Sequence, residues 1–376
     1  MSRKEHDERN GRNGHDERDV REGRDARDER DERKAHEGRD ERDVREGRTK
    51  NGLPRRSWRA RVRAGAGTPG TRTGPLIALT VAVVAFSVTT DTFFTTDNLS
   101  LLLEQSVVVG ILALGQTMVV LTGGIDLGNG AVAVLGTLVL ARHGGTFNNV
   151  PGLLAGLLLC TGLGAANGGM IARLRLPPFI VTLGTLTVVS ASARLYSQSR
   201  NYPVASTLLT VFGKGLHLGP VVLSYGAILM LTAYVFIWHA LRRTAWGRHV
   251  YAVGGNPEAA RLMGIRVDRT VIGVYAAAGL LYGIAGWAAL GRIPNADANA
   301  YQSANLDSIT AVVIGGTSLF GGRGGVVGTL LGTLIVVVLR SGLTQGGIDA
   351  LYQDVATGIL VIVAVTVDQA SRRGRR

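Results

Sequence analysis

The sequence predicts an all-α fold: a polytopic membrane bundle of about ten transmembrane helices, some of them short or re-entrant. Three observations predict it. Charge is segregated, since the first 73 residues hold 22 of the 41 Lys+Arg and 17 of the 28 Asp+Glu. The Gly-rich remainder of the 376-residue chain divides into apolar runs separated by short loops. Basic residues then collect in alternate loops, as they do on the cytoplasmic side of a membrane protein.

Residues 1–50 consist almost wholly of Arg, Asp, Glu, His and Gly, and RDVREGR recurs at Arg18 and Arg42. Such a segment cannot bury enough apolar surface to offset its ordering entropy, so 1–75 is expected to be a disordered cytoplasmic tail. Its nearly balanced signs weaken attraction to phosphate, and no nucleic-acid partner is expected. Arg55, Arg56, Arg59, Arg61 and Arg63 form a basic anchor before the first apolar run. The apolar segment starts too late for a signal peptide.

Residues 76–368 form the expected transmembrane domain. Seven runs are long enough to cross, at 76–94, 99–121, 151–171, 178–196, 221–241, 271–290 and 326–343. Three are shorter, at 129–141, 309–320 and 355–367, and these can be half-helices packed inside protein. With the N-terminus inside, the inner loops carry Arg173 and Arg175, then six arginines from Arg242 to Arg269, then Arg323. A basic tail over 369–376 follows. The outer loops receive Arg142, Arg200, Lys214 and Arg292. Both termini are therefore expected in the cytoplasm, with 241–270 as the largest inner loop.

Composition also excludes chemistry. Cys160 is the single cysteine, so there is neither a disulfide framework nor a cysteine zinc site, and the seven histidines lack metal-ligand spacing. Lys4, Lys34, Lys50 and Lys214 all fall outside a G-x-x-x-x-G-K-[ST] loop. With no nucleophile and base pair either, no catalytic residue, metal or cofactor is expected, and any ATP must be bound by another subunit.

Four segments interrupt the apolar pattern. In the first, Gly123 and Gly124 break a helix and Asp126 is placed to cap the short helix that follows, with Asn129 beside it. A proton or cation site at Asp126 is the functional alternative. The second, LPPFIVTLGT, uses Pro177 and Pro178 as a rigid helix start and brings Thr182 to the break. Glu104 and Asn167 are polar residues inside runs, read as interhelical hydrogen-bonding groups.

The third segment lies in the large inner loop. After Gly254 and Gly255, Asn256 can cap, Pro257 suits the first helical position, and Glu258 complements the helix N-terminus. Gly264 would end that helix after Arg261. A short helix exposing Ala259, Ala260 and Met263 is expected to dock into a groove on a cytoplasmic partner. In the fourth, Gly315, Gly316, Gly321 and Gly322 suggest a sharp turn between two runs, with Thr317, Ser318 and Arg323 near it. Gly328 and Gly332, spaced by four, read as helix-packing positions. A nucleotide-binding glycine loop is disfavoured because no strand precedes it and no lysine follows.

Together GGIDLG, LPPFIVTLGT, GRHVYAVGGNPEAARLMGI and LDSITAVVIGGTSLFGGRGGVVGTLLG resemble the membrane-permease subunit of bacterial ABC importers of the ribose/xylose/galactose type. The resemblance spans about residues 76–368 and departs at Gly128-Asn129, where the family usually has Ser-Val. It implies a multi-pass protein of the bacterial plasma membrane that pairs with a second permease copy. It also implies a cytoplasmic ABC ATP-binding subunit and an extracytoplasmic substrate-binding protein. In it the Asn256 to Ile265 loop is the coupling helix. The alternatives are a related importer for a nucleoside, branched-chain amino acid or signalling sugar, and an ion-coupled secondary transporter. The latter would normally carry acidic or histidine residues within its spans.

Overall fold

A computed structural model describes residues 70–90, 92–143, 150–219 and 221–373. The tail over 1–50, the Arg55 to Arg63 anchor and the last three residues of the basic C-terminal tail lie outside them. The described residues form helices α1 Gly70–Thr89, α2 Thr96–Leu121, α3 Asn129–His143, α4 Val150–Arg173, α5 Pro178–Ser197 and α6 Tyr225–Arg243. They continue with α7 Ala245–Gly255, α8 Pro257–Leu262, α9 Val267–Arg292, α10 Ala304–Ile314, α11 Val326–Gln345 and α12 Ala350–Arg373. Helices α2, α4, α5, α6, α9 and α11 are long and apolar enough to cross a membrane. The all-α bundle is thus the observed architecture.

Local chemistry sets the helix starts. Thr95, Ser224, Thr244 and Asn256 each accept from an amide in the first turn of α2, α6, α7 and α8, and α5 begins at Pro178. Several ends differ from the sequence expectation: the run 76–94 is helical only to Thr89 and falls short of the six spanning helices, the short run 355–367 lies within the 24-residue α12, and two more differences have a local cause. The run 221–241 is helical only from Tyr225, because Val221–Ser224 is a strand, β3, paired antiparallel with β2 Gly215–Leu218. β-branched valines suit that ribbon. The run 309–320 is helical only to Ile314, since Gly316 adopts φ +80° and turns the chain. A second pair of strands, β1 Tyr202–Pro203 and β4 Asn295–Ala296, ties the α5–α6 connection to the end of α9.

Helices α2 and α9, 26 residues each, form the buried centre, and α9 lies along α4. That approach is backbone to backbone. A Cβ on Gly164 would strike the Tyr275 carbonyl, one on Gly168 would lie 2.8 Å from the Ile272 Cα, and one on Gly279 would strike the Cys160 carbonyl. Small residues serve membrane helices this way because lipid offers no hydrophobic drive to associate, leaving close packing to hold them together. Gly328 and Gly332 of α11 do the same against Gly315 and Ala311 of α10.

Candidate functional site: two half-helices and a glycine junction

Helices α3 and α10, 15 and 11 residues long, are too short to span, and their N-terminal ends meet inside the bundle. Asn129 donates to the Ser308 hydroxyl at 2.6 Å, and Asn305 to the Leu127 carbonyl at 3.4 Å. Irregular backbone at this depth survives where protein supplies its hydrogen bonds. Thr182 of α5, fully buried, donates to the Ile125 carbonyl at 2.9 Å. Gln116 of α2, its amide oriented to satisfy both atoms, donates to the Asp126 carbonyl at 3.1 Å and accepts from its amide at 3.2 Å.

Asp126 is not the cap of α3. That helix starts at Asn129, and the carboxylate instead accepts from the Gly128 amide at 2.8 Å, closing the turn before it. The side chain is buried. The Tyr275 hydroxyl of α9 sits 2.5 Å from where a Cβ on Gly124 would be. Asn167 of α4 accepts from Thr185 at 2.6 Å, as a residue bridging helices does.

Three glycine motifs far apart in sequence converge at one point. The Gly322 amide donates to the Leu121 carbonyl, the last residue of α2, at 3.0 Å. A Cβ on Gly321 would lie 2.7 Å from the Gly254 carbonyl and 2.8 Å from the Gly123 amide, and one on Gly322 would be 2.9 Å from the Gly255 Cα. Gly321 and Gly322 hold φ of +82° and +69°, which a side chain would oppose. The Tyr251 hydroxyl donates to the Gly324 carbonyl at 3.1 Å, fixing α7 to the same turn. Inside that turn Ser318 accepts from Gly321 at 3.0 Å through its carbonyl, and Thr317 accepts from Gly325 at 3.3 Å through its hydroxyl.

From this junction α7 leads into α8. Asn256 caps as expected, accepting from Ala259 at 3.0 Å, with Pro257 and Glu258 in the first turn. Gly264 at φ +82° donates to Arg261, and Ile265 donates back to Ala260, a left-handed helix end. Ala260, however, is not on the exposed face. It is fully buried in the main core, where α8 folds against α7 and α9, and Ala259 is half-buried. The exposed apolar residues are Leu262 and Met263, at 91% and 71% of their free area. The Arg261 to Asp268 ion pair of 3.2 Å beside them is half exposed and contributes little stability.

An ion-pair cluster of three charged residues is absent from the sequence reading. Arg340 of α11 donates to Asp307 of α10 at 2.8 Å and to Asp354 of α12 at 2.9 Å, joining three helices. The Asp307 side chain is only 6% exposed and Asp354 is 51% exposed, so the first contact matters more. Replacing Arg340 by Leu strands a buried carboxylate and should cost about 3 kcal/mol, whereas Asp354→Asn should cost a small fraction of that. Thermal unfolding of the purified protein checks this. Equal shifts for the two variants would contradict it.

Among the described residues, no group of His, Cys, Asp or Glu is placed to hold a metal. Half-helices meeting at a buried polar contact, joined through glycine backbone to a short helix that ends in two exposed apolar residues, fit a membrane transport permease. Residues 98–365 match the family described as branched-chain amino acid transport system / permease component, and the chain belongs to it. It is 43% identical over 307 residues to the fructose import permease protein of Rhizobium meliloti, covering 80% of this chain and 85% of that one. Against the ribose import permease protein of Bacillus subtilis the identity is 39% over 301 residues, 79% and 92% of the two chains. Against the galactose/methyl galactoside import permease protein of Escherichia coli it is 34% over 310 residues, 78% and 92%. No solved structure matches. The protein is a multi-pass inner-membrane transport subunit.

Proposed function

We propose that this chain is the permease subunit of an ATP-driven, binding-protein-dependent importer of a neutral monosaccharide. The observation that carries the reading is its similarity along most of its length to import permeases for fructose, ribose and galactose. In this reading the cytoplasmic ATP-binding subunit docks on Leu262 and Met263, a soluble binding protein delivers sugar outside, and a second copy completes the pathway. Both termini lie inside, which the arginine-rich loops favour. The chain itself binds no cofactor, in keeping with the missing phosphate-loop lysine.

The geometry supports a mechanical role. Movement of α8 by the ATP-binding subunit displaces α7, and α7 meets both the end of α2 and the turn after α10 through Gly254. Those two elements carry the chain segments leading to the paired half-helices, so one displacement bears on the contact between Asn129 and Ser308. Close-packed backbones transmit such shifts because no flexible side chain intervenes to absorb them.

Energy source is the decisive test. Sugar uptake in vesicles holding the permease with its partners should survive a protonophore while ATP is supplied, and stop with an ATPase inhibitor. Uptake by the permease alone, driven by a proton gradient, would refute the reading.

A further inference from the structure

A cavity of about 170 Å³ opens beside the half-helix contact, between α3, α5 and the segment leading into α10. Its wall mixes apolar and hydroxyl- or amide-bearing residues: Ala131 from α3, Leu186 and Ser190 from α5, and Gln302 and Asn305 from the segment into α10, with Arg194 also lining it. Tyr301 lines it, and its φ of +57° is an uncommon state for a bulky residue, of the kind that clusters at ligand sites. The Tyr301 carbonyl is held against the first turn of α3, 3.4 Å from where a Cβ on Gly130 would be.

An adjoining cavity of about 10 Å³ shares Val134, Ala300 and Tyr301 and is lined by Asn295, whose side-chain oxygen is buried without a partner among the described residues. A buried acceptor left open in a native protein calls for a ligand or a water to satisfy it. The smaller space holds about one water. The larger one holds a small solute, and its Ser190 hydroxyl and Gln302 amide each donate and accept, which matches a ring bearing several hydroxyls. Its single charged group, Arg194, lies at the exposed edge and leaves the interior uncharged.

We infer that this cavity is the station at which a neutral sugar rests inside the permease, next to the contact that ATP-driven movement opens. The inference rests on the importer reading and adds a place to it.

Two variants at Ser190 test it in the complex with the ATP-binding subunit and binding protein, reconstituted in liposomes. Ser190→Trp fills the space, so uptake of D-ribose, D-fructose or D-galactose should fall about tenfold or more while the chain still inserts and holds the ATP-binding subunit. Ser190→Cys presents a thiol to a methanethiosulfonate reagent, with the unmodified chain, whose Cys160 is buried, as control. Saturating amounts of whichever sugar is imported should slow modification of the new thiol about threefold or more, in proportion to the cavity's occupancy. Undiminished uptake in Ser190→Trp, or modification unaffected by sugar, overturns the cavity assignment and leaves the importer reading standing. Protection by D-ribose 5-phosphate with none from the neutral sugars also overturns it. If the unmodified complex imports none of the three sugars, the importer reading itself fails.

Discussion

Gly254→Ala is expected to cut uptake about tenfold or more, while Gly255→Ala, one residue along, stays within about twofold of wild type. A Cβ on Gly254 would occupy the position of the Leu121 carbonyl and lie 2.7 Å from the Gly322 amide, whereas nothing lies within 4 Å of one on Gly255. The obstacle at Gly254 is backbone on both sides, which cannot swing away as a side-chain tip can. Overpacking of this kind costs about 1–3 kcal/mol, and here the strain falls on the contact that links α7 to α2 and to the turn after α10. Both variants should insert and purify, since each lies outside the spans. Uptake in vesicles, normalised to inserted protein, is the measurement. Equal behaviour of the two would mean that the junction does not carry the motion.

The second large effect concerns the exposed end of α8. Replacing Leu262 and Met263 together by Glu should reduce affinity for the ATP-binding subunit about a hundredfold or more. Each of these side chains would contribute about 1.5–3 kcal/mol on burial in a partner's groove, and the carboxylates would have to be desolvated instead. Co-purification of the ATP-binding subunit should be lost, with binding-protein-stimulated hydrolysis, while the permease keeps its own stability because both positions face solvent. Ala260→Glu should differ in kind. That residue is fully buried inside the chain, so the change should lower the yield of folded permease rather than its docking alone. Wild-type co-purification in the Leu262/Met263 double variant would remove α8 from the interface.

What could be read from sequence was what local chemistry or the membrane dictates. The long apolar runs appear as helices because backbone in lipid must bond to itself. The cap at Asn256, the first-turn proline and the left-handed Gly264 were legible because they act within a few residues of one another. Which face of α8 is buried was not legible, since six residues give too short a period to define a face, and α7 and α9 decide it. Asp126 missed its capping role by a small register shift that Gln116 and Thr182 impose from other helices. Arg340 was visible as an ionisable residue within the run 326–343, a signal for a buried partner, though nothing in sequence names Asp307. The meeting of the glycine pairs is purely tertiary, and no single segment records it.

That meeting also sets an order of events during synthesis. Gly123 emerges early and Gly254 later, but the junction has no third member until Gly321 and Gly322 have been made and α10 has threaded back beside α3. Nascent chains ending anywhere before Gly321 can therefore seat α7 on the end of α2 and α8 on α7 and α9, yet lack the turn that closes over Gly254 and Gly255. The link from α7 to the turn after α10 is thus among the last parts of the protein to form, so a half-made chain holds α8 in place but has no closed path from it to the half-helices.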